Sequence, residues 1–166
     1  MEHLLDKLIR LLAHATELYQ SLLRVVEHEK DAVVGLNLKQ LNEVCKAKDN
    51  VLLKLRILEE QRQQVMRRVA AELGCSPEGL TLTRLSEQVD ESYARRLLDC
   101  STDLLALIQT LQEATQQNKS LMSHSMQLIQ GSYKLLNNLM VDNPVYFRSG
   151  SVEGGDRTGR LLNGDV

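Results

Sequence analysis

Long stretches without proline constrain the fold of this chain more than any other feature of its sequence. The 166 residues contain only two prolines, Pro77 and Pro144, and proline ends or kinks a helix because it lacks a backbone N–H. Leucine, a strong helix former, dominates the apolar residues, whereas aromatic residues make up only 3% of the chain. Because β-sandwiches and ligand pockets depend on large rings, the sequence predicts an all-α protein.

Residues 2 to about 34 show the heptad spacing of a helix that packs in a bundle. Apolar side chains recur at alternating intervals of four and three residues, and a second row flanks the first. Such a face is broader than the seam of a two-stranded coiled coil. The first row comprises Leu4, Leu8, Leu11, Ala15, Leu18, Leu22, Val25, Glu29 and Ala32, and the second comprises Leu5, Leu12, Tyr19, Val26 and Val33. We expect Gly35 to break this helix and Asn37 to cap the next one.

The same spacing continues in a second helix, which is predicted to end at Gly74 because glycine readily adopts the C-cap conformation. Residues 76–79 read Ser-Pro-Glu-Gly, a turn sequence in which proline fixes φ and glycine permits a positive φ. We expect this turn to reverse the chain. Either Thr81 or Thr83 is then expected to cap a short helix that ends near Val89.

A third long segment runs from about Asp90 or Glu91 to Val141, interrupted only by Gly131. As a helix it would be about 75 Å long at about 1.5 Å per residue. Five of the nine glycines then lie within residues 150–164, in polar sequence that cannot bury a core. We therefore predict one helical-bundle domain over residues 1–141, an elongated antiparallel bundle or coiled coil of two or three long helices. Residues 142–166 are predicted to form a flexible, disordered tail.

Charge and residue spacing argue against several classes of function. The net charge is −2 with no basic block, so no positive face is available for nucleic acid. No apolar run approaches the length of a membrane span and no signal-peptide pattern opens the chain, so we expect a cytoplasmic protein. The three cysteines and four histidines lack the spacing of a disulfide framework or a metal site. We predict no catalytic residue, cofactor, metal or small-molecule substrate, and hence a protein that is not an enzyme.

Three charged residues lie on the apolar stripes of the first two helices, namely Glu29, Lys48 and Arg62. A charge at a core position is costly unless it is paired. One interpretation is that these side chains extend along the bundle surface to reach water. The other is an interhelical pair that sets the register of the helices. We predict that Glu29 and Lys48 meet where the chain bends near Gly35.

The third helix has more apolar surface than one neighbouring helix can cover. Residues 104–141 carry only three charges, on Glu113, Lys119 and Lys134. One apolar row comprises Leu104, Ile108, Leu111, Met122, Ile129, Leu136 and Leu139, and another comprises Leu107, Ala114, Leu121, Leu128 and Leu135. This segment is either the central helix of the bundle, covered by both arms of a helical hairpin, or an exposed groove for a partner helix. Low charge and flexible methionines are typical of an adaptable binding surface.

We place the candidate binding surface on the C-terminal half of this helix, with the tail as an accessory clamp. Its predicted residues are Leu121, Met122, Leu128, Ile129, Leu135, Leu136 and Leu139, together with Tyr146 from the tail.

The order of these features resembles a known family. The matching residues are Glu29, Ala32, Val33, Leu41, Lys48, Leu52, Leu55, Leu58 and Arg62, then Leu135, Leu136 and Leu139 before a tail that begins near Tyr146 and Gly150. Over nearly its whole length the chain resembles the FlgN family of flagellar export chaperones. One departure is the polar content of one stripe of the third helix, at Asn118, Ser125 and Ser132.

The resemblance implies a cytoplasmic chaperone that binds the C-terminal helical segments of flagellar hook-associated proteins, which form the hook–filament junction. Such chaperones keep these subunits soluble and deliver them to the flagellar type III export apparatus. In the family, the C-terminal helix and tail bind the subunit, and the matching region here is about residues 121–166. The alternative hypothesis is a structural or scaffold coiled coil that self-associates, as a weak homo-oligomer, through its third helix.

Overall fold

The structure, a computed structural model, describes residues 1–141 and the side chains as far as Leu139. Its helices are α1 (Glu2–Val34), α2 (Leu38–Leu73), a 3-10 turn (Pro77–Gly79), α3 (Leu82–Ser86) and α4 (Glu91–Val141). No strand occurs within residues 1–141, so the all-α prediction is confirmed. The predicted tail, residues 142–166 with Tyr146, lies outside the described residues.

The turn between α1 and α2 lies where it was predicted, but the residue with the positive φ is a different one. Asn37 caps α2, because its Oδ1 accepts the backbone N–H of Gln40 at 3.0 Å. Gly35, however, keeps a right-handed helical conformation with φ −76°. The left-handed residue is Leu36, with φ 48°, and its side chain is 71% exposed. The break was predicted in the right place, but the residue that supplies the positive φ is not the glycine.

The second connection contains the predicted cap and turn. Gly74 ends α2 in the left-handed conformation with φ 70°, which glycine adopts without steric cost. Thr81 caps α3, because its Oγ1 accepts the backbone N–H of Arg84 at 3.2 Å. Helix α3 ends at Ser86, three residues before the predicted end, where the Ser86 hydroxyl donates to the Thr83 carbonyl at 2.7 Å.

The described residues divide into two compact units, Met1–Met122 and a second that begins at Ser123. In the first unit, the Met1 amine pairs with Glu72 at 2.8 Å, so the start of α1 lies beside the end of α2. Arg96 Nη1 donates to Asp6 Oδ1 at 3.4 Å near the start of both α1 and α4. Helix α1 therefore runs antiparallel to α2 and parallel to α4, which confirms the predicted antiparallel packing. The described part of the second unit is the C-terminal end of α4, and a single domain over residues 1–141 stays a prediction.

The core of the first unit receives side chains from α1, α2, α3 and α4. Its buried members are Leu5, Leu8, Ile9, Leu12, Val65, Met66, Val69, Leu85, Leu97 and Leu104. On α1 both predicted rows supply buried side chains: Leu8 of the first row and Leu5 and Leu12 of the second are at most 2% exposed. Leu4 and Leu11 of the first row are half-buried. Among the described helices, none is long and apolar enough to cross a membrane.

Candidate partner-binding surface

One face of α4 carries an unbroken heptad pattern along most of the helix. We call this row the first seam; its residues follow one another at alternating intervals of three and four. They are Leu97, Cys100, Leu104, Leu107, Leu111, Ala114, Asn118, Leu121, Ser125, Leu128, Ser132, Leu135 and Leu139. Because this spacing keeps side chains on one side of a helix, the whole row forms one stripe.

The N-terminal part of the first seam is covered by the bundle. Leu97 is fully buried and Leu104 is 9% exposed, and both belong to the core formed with α1 and α2. Cys100 lies between them and is half-buried, and this burial raises the pKa of its thiol. Helix α4 therefore uses the first seam to pack against two helices at once.

The covered part of the seam ends at a buried polar cluster. Asn118 is 3% exposed, and its Nδ2 donates to the Val26 carbonyl at 2.7 Å and to Glu29 Oε2 at 3.1 Å. Lys48 Nζ donates to both carboxylate oxygens of Glu29, at 2.9 and 3.0 Å. The predicted Glu29–Lys48 pair is thus confirmed. Asn118 of α4 also bonds to Glu29. The carboxylate of Glu29, which is 5% exposed, therefore has one partner on α2 and one on α4.

The third charge on the predicted stripes behaves differently. Arg62 makes two bonds of 2.7 Å to Glu59 one turn earlier on α2, and both side chains reach the surface. Hydrogen bonding from the Arg62 guanidinium lowers the pKa of the Glu59 carboxyl, although partial burial opposes this. The interpretation that the side chain extends to water is therefore correct for Arg62, whereas interhelical pairing is correct for Glu29 and Lys48.

Beyond Asn118 the large side chains of the first seam are half-buried or exposed. Leu121 is half-buried, whereas Leu128, Leu135 and Leu139 are 72%, 65% and 64% exposed. No described side chain of α4 after Asn118 is buried. Within the first unit, the bundle covers the N-terminal part of this row, and from Leu128 onward its leucines are exposed.

A second heptad row lies beside the first seam between Met122 and Leu136. We call it the second seam, and its members are Met122, Met126, Ile129, Tyr133 and Leu136. Their exposed fractions run from 38% for Met122 to 57% for Ile129 and Leu136. Three of these residues were predicted from the sequence. Met126 and Tyr133 were missed, although Met126 lies four residues after Met122 and Tyr133 lies four residues after Ile129, a spacing that could have identified them.

The chain matches a model of one protein family over most of its length. A model of the FlgN protein family matches residues 1–154. This chain belongs to the FlgN family. The resemblance seen in the sequence is thereby confirmed, and the protein is a flagellar export chaperone in the general sense that the family defines. No curated protein and no solved structure matches the chain.

The described residues of this FlgN-family protein also include a cleft away from the two seams. No group of three or more His, Cys, Asp or Glu side chains within residues 1–139 is arranged to hold a metal ion. An open cleft of about 380 Å³ lies between the end of α2 and the 3-10 turn, with Arg62, Arg67 and Glu78 at its rim. Its mixed polar lining contrasts with the apolar seams, where ligand contact would be mostly hydrophobic.

Proposed function

We propose that this protein binds the helical segments of flagellar hook-associated proteins, keeps these subunits soluble in the cytoplasm and delivers them to the export apparatus. The observation that supports the proposal is the exposed apolar surface of α4 from Leu121 to Leu139. The family supplies the role of export chaperone, and the exposed surface supplies a place where an apolar helix could be held.

An amphipathic helix of an unassembled subunit exposes apolar side chains that promote aggregation. A chaperone helix with uncovered leucines and methionines can shield them by helix-in-groove packing. Each large side chain that becomes buried contributes about 1.5–3 kcal/mol before the cost of association. A few such contacts give useful affinity and still permit release at the export apparatus. The tail with Tyr146 is proposed as an accessory clamp.

Replacement of Leu135 by glutamate tests the surface directly. Leu135 is 65% exposed, so Leu135→Glu should leave helix content and melting temperature unchanged. Loss of one buried leucine at the interface should weaken binding of a purified hook-associated protein by about ten-fold or more. The matched control is Asn138→Glu, which adds the same charge to an exposed position outside both seams and should bind as the unmodified protein does.

Titration calorimetry and a thermal melt on the same samples separate the outcomes. If Leu135→Glu folds and binds normally, the surface lies elsewhere and the proposed site is wrong. If it unfolds, Leu135 belongs to a core. Light scattering on the free protein addresses the rival hypothesis, because a stable dimer that is lost in Leu135→Glu would favour a self-associating coiled coil.

A further inference from the structure

The cleft beside the C-terminal end of α2 has two different walls. One wall is α2 itself, where Gln63 and Arg67 line the cleft and lie one helical turn apart. The other wall is the 3-10 turn, which contributes Pro77 and Glu78. All the lining residues belong to the first unit, so one compact part of the molecule forms the whole cleft.

The wall formed by the 3-10 turn is held at both ends. Just after the C-cap at Gly74, the Cys75 N–H donates to the Ala70 carbonyl at 3.0 Å. At the far end, Arg84 Nη1 of α3 donates to the Gly79 carbonyl at 2.9 Å. A wall that is already fixed loses little conformational freedom when a ligand binds, which lowers the cost of binding.

The most buried part of the lining is apolar. Met66 is 7% exposed and belongs to the core of the first unit, and Leu80 packs against that core. Pro77 adds a third apolar surface from the turn. Because side chains at the edge of a close-packed core have little freedom to move, they offer a fixed contact for one apolar side chain of a ligand.

The charged groups of the lining differ in how far they are already engaged. Glu59 accepts two N–H groups of Arg62 at 2.7 Å each, so this guanidinium is largely occupied. Within residues 1–139, Arg67 pairs with no carboxylate and Glu78 pairs with no cation. Arg67 therefore keeps its forked set of donors for a carboxylate, and Glu78 keeps its oxygens for an N–H donor.

We propose that this cleft binds a short peptide segment of a second protein, in which an apolar side chain stands next to a carboxylate. The apolar side chain contacts Met66 and Leu80, and the carboxylate pairs with Arg67. Glu78 accepts a backbone N–H of the segment. This site is separate from the seams of α4 and does not depend on the function proposed for them.

Charge complementarity favours a peptide over a small inorganic anion. Glu59 already neutralises Arg62, and Glu78 offsets the charge of Arg67 within the same lining. The cleft therefore has no surplus of positive charge to hold a free anion. A peptide segment supplies a carboxylate, an N–H donor and an apolar side chain together, and so it matches all three parts of the lining.

Methionine methyl NMR on the full chain observes the cleft directly, because Met66 lines it. Its signal is assigned with Met66→Leu. The probe is the blocked peptide acetyl-Ala-Leu-Asp-Ala-amide, and two relatives replace either its Asp by Asn or its Leu by Ala. We expect the Leu-Asp peptide to shift the Met66 signal saturably with a Kd of about 1 mM, and each replacement to raise the Kd about five-fold or more.

Two successive arginines provide the matched variants. Arg67 lines the cleft, whereas Arg68 is exposed, lies outside the lining and points about 100° further around α2. Arg67→Gln should raise the Kd of the Leu-Asp peptide about five-fold or more, and Arg68→Gln should change it less than about two-fold. In Arg67→Gln the Asp and Asn peptides should bind equally, because the partner of the carboxylate is gone.

Three results would overturn the proposal. The first is the absence of a saturable Met66 shift with every peptide. The second is equal weakening by Arg67→Gln and Arg68→Gln, which would reflect overall charge rather than a contact in the cleft. The third is displacement of the Leu-Asp peptide by inorganic phosphate at the same concentration, which would make the cleft an anion site. Thermal melts of both variants, whose substituted side chains are exposed, should match that of the unmodified protein.

Discussion

The two parts of α4 on either side of Asn118 have the same heptad pattern and opposite surroundings. Before Asn118, the first seam is buried or half-buried, and Leu97 and Leu104 belong to the core formed with α1 and α2. After Asn118, Leu139, which occupies the equivalent heptad position six heptads after Leu97, is 64% exposed. The comparison shows that heptad spacing identifies the face of a helix that can pack, whereas the neighbouring helices determine which part of that face does pack.

Helix α1 ends soon after the polar cluster at Asn118. Helix α1 has 33 residues and α4 has 51, and the two run parallel, with Asp6 opposite Arg96 and Val26 opposite Asn118. Only eight residues of α1 remain after Val26. Because each residue adds about 1.5 Å to a helix, α1 ends about 12 Å beyond Val26.

The largest expected effect is a contrast in stability between the two parts of the seam. Leu97→Ala removes a fully buried side chain and should lower the free energy of unfolding by about 2–5 kcal/mol. Leu128→Ala removes an exposed side chain and should change it by less than about 0.5 kcal/mol. Urea denaturation monitored by circular dichroism measures both. Equal losses would show that the C-terminal part of α4 is covered in solution, and the comparison between the two parts would fail.

The polar cluster at the junction should give the next largest effect. Lys48→Ala leaves the Glu29 carboxylate buried with Asn118 as its remaining side-chain partner, and we expect a loss of about 3 kcal/mol, near the lower end for buried pairs because Lys48 is partly exposed. Glu29→Ala and the double variant complete a thermodynamic cycle. The coupling free energy should exceed about 0.5 kcal/mol. If the stability losses of the two single variants simply add in the double variant, the 2.9 Å contact between Lys48 and Glu29 contributes no coupling free energy.

The sequence predicted most of the fold because its signals are local. The Asn37 cap, the Gly74 C-cap and the turn at Pro77 each depend on the chemistry of one or two residues. The Glu29–Lys48 pair was predictable because both charges interrupt apolar stripes on either side of a short turn. These features do not require knowledge of distant parts of the chain.

The remaining features depend on distant neighbours and could not be predicted in the same way. Asn118 was seen only as a polar departure in the stripe, because its partners Val26 and Glu29 precede it by about 90 residues. Likewise, the two apolar rows of α4 allowed either a central helix or an exposed groove. The choice between these alternatives depends on which residues pack against each row of α4. The spacing of residues within α4 carries no information about those neighbours.

Gly131 gives a smaller effect that is local to the exposed part of α4. It lies within the helix with a right-handed backbone, and a Cβ placed there meets no atom within 4 Å. Gly131→Ala should therefore stabilise the helix locally by about 0.5–1 kcal/mol. Amide hydrogen exchange of residues 123–139 should slow by up to about five-fold, while the first unit is unchanged. Gly74→Ala is the contrasting control, because its φ of 70° makes the same substitution destabilising.

Thiol reactivity compares the two parts of α4 without altering stability. Cys100 lies on the covered part of the first seam, where burial raises the pKa of its thiol and so lowers the fraction of reactive thiolate near pH 8. Ser132 lies on the exposed part. In a background with Cys45→Ser and Cys75→Ser, we expect the thiol introduced by Ser132→Cys to be alkylated by iodoacetamide about ten times faster than Cys100.

The difference between the two alkylation rates should narrow as the pH rises, because the thiol with the higher pKa then gains thiolate while the other is already ionised. In guanidinium chloride both thiols should react at similar rates, since unfolding removes the burial. Similar rates in the folded protein would mean that the bundle does not shield the first seam at Cys100 more than at residue 132.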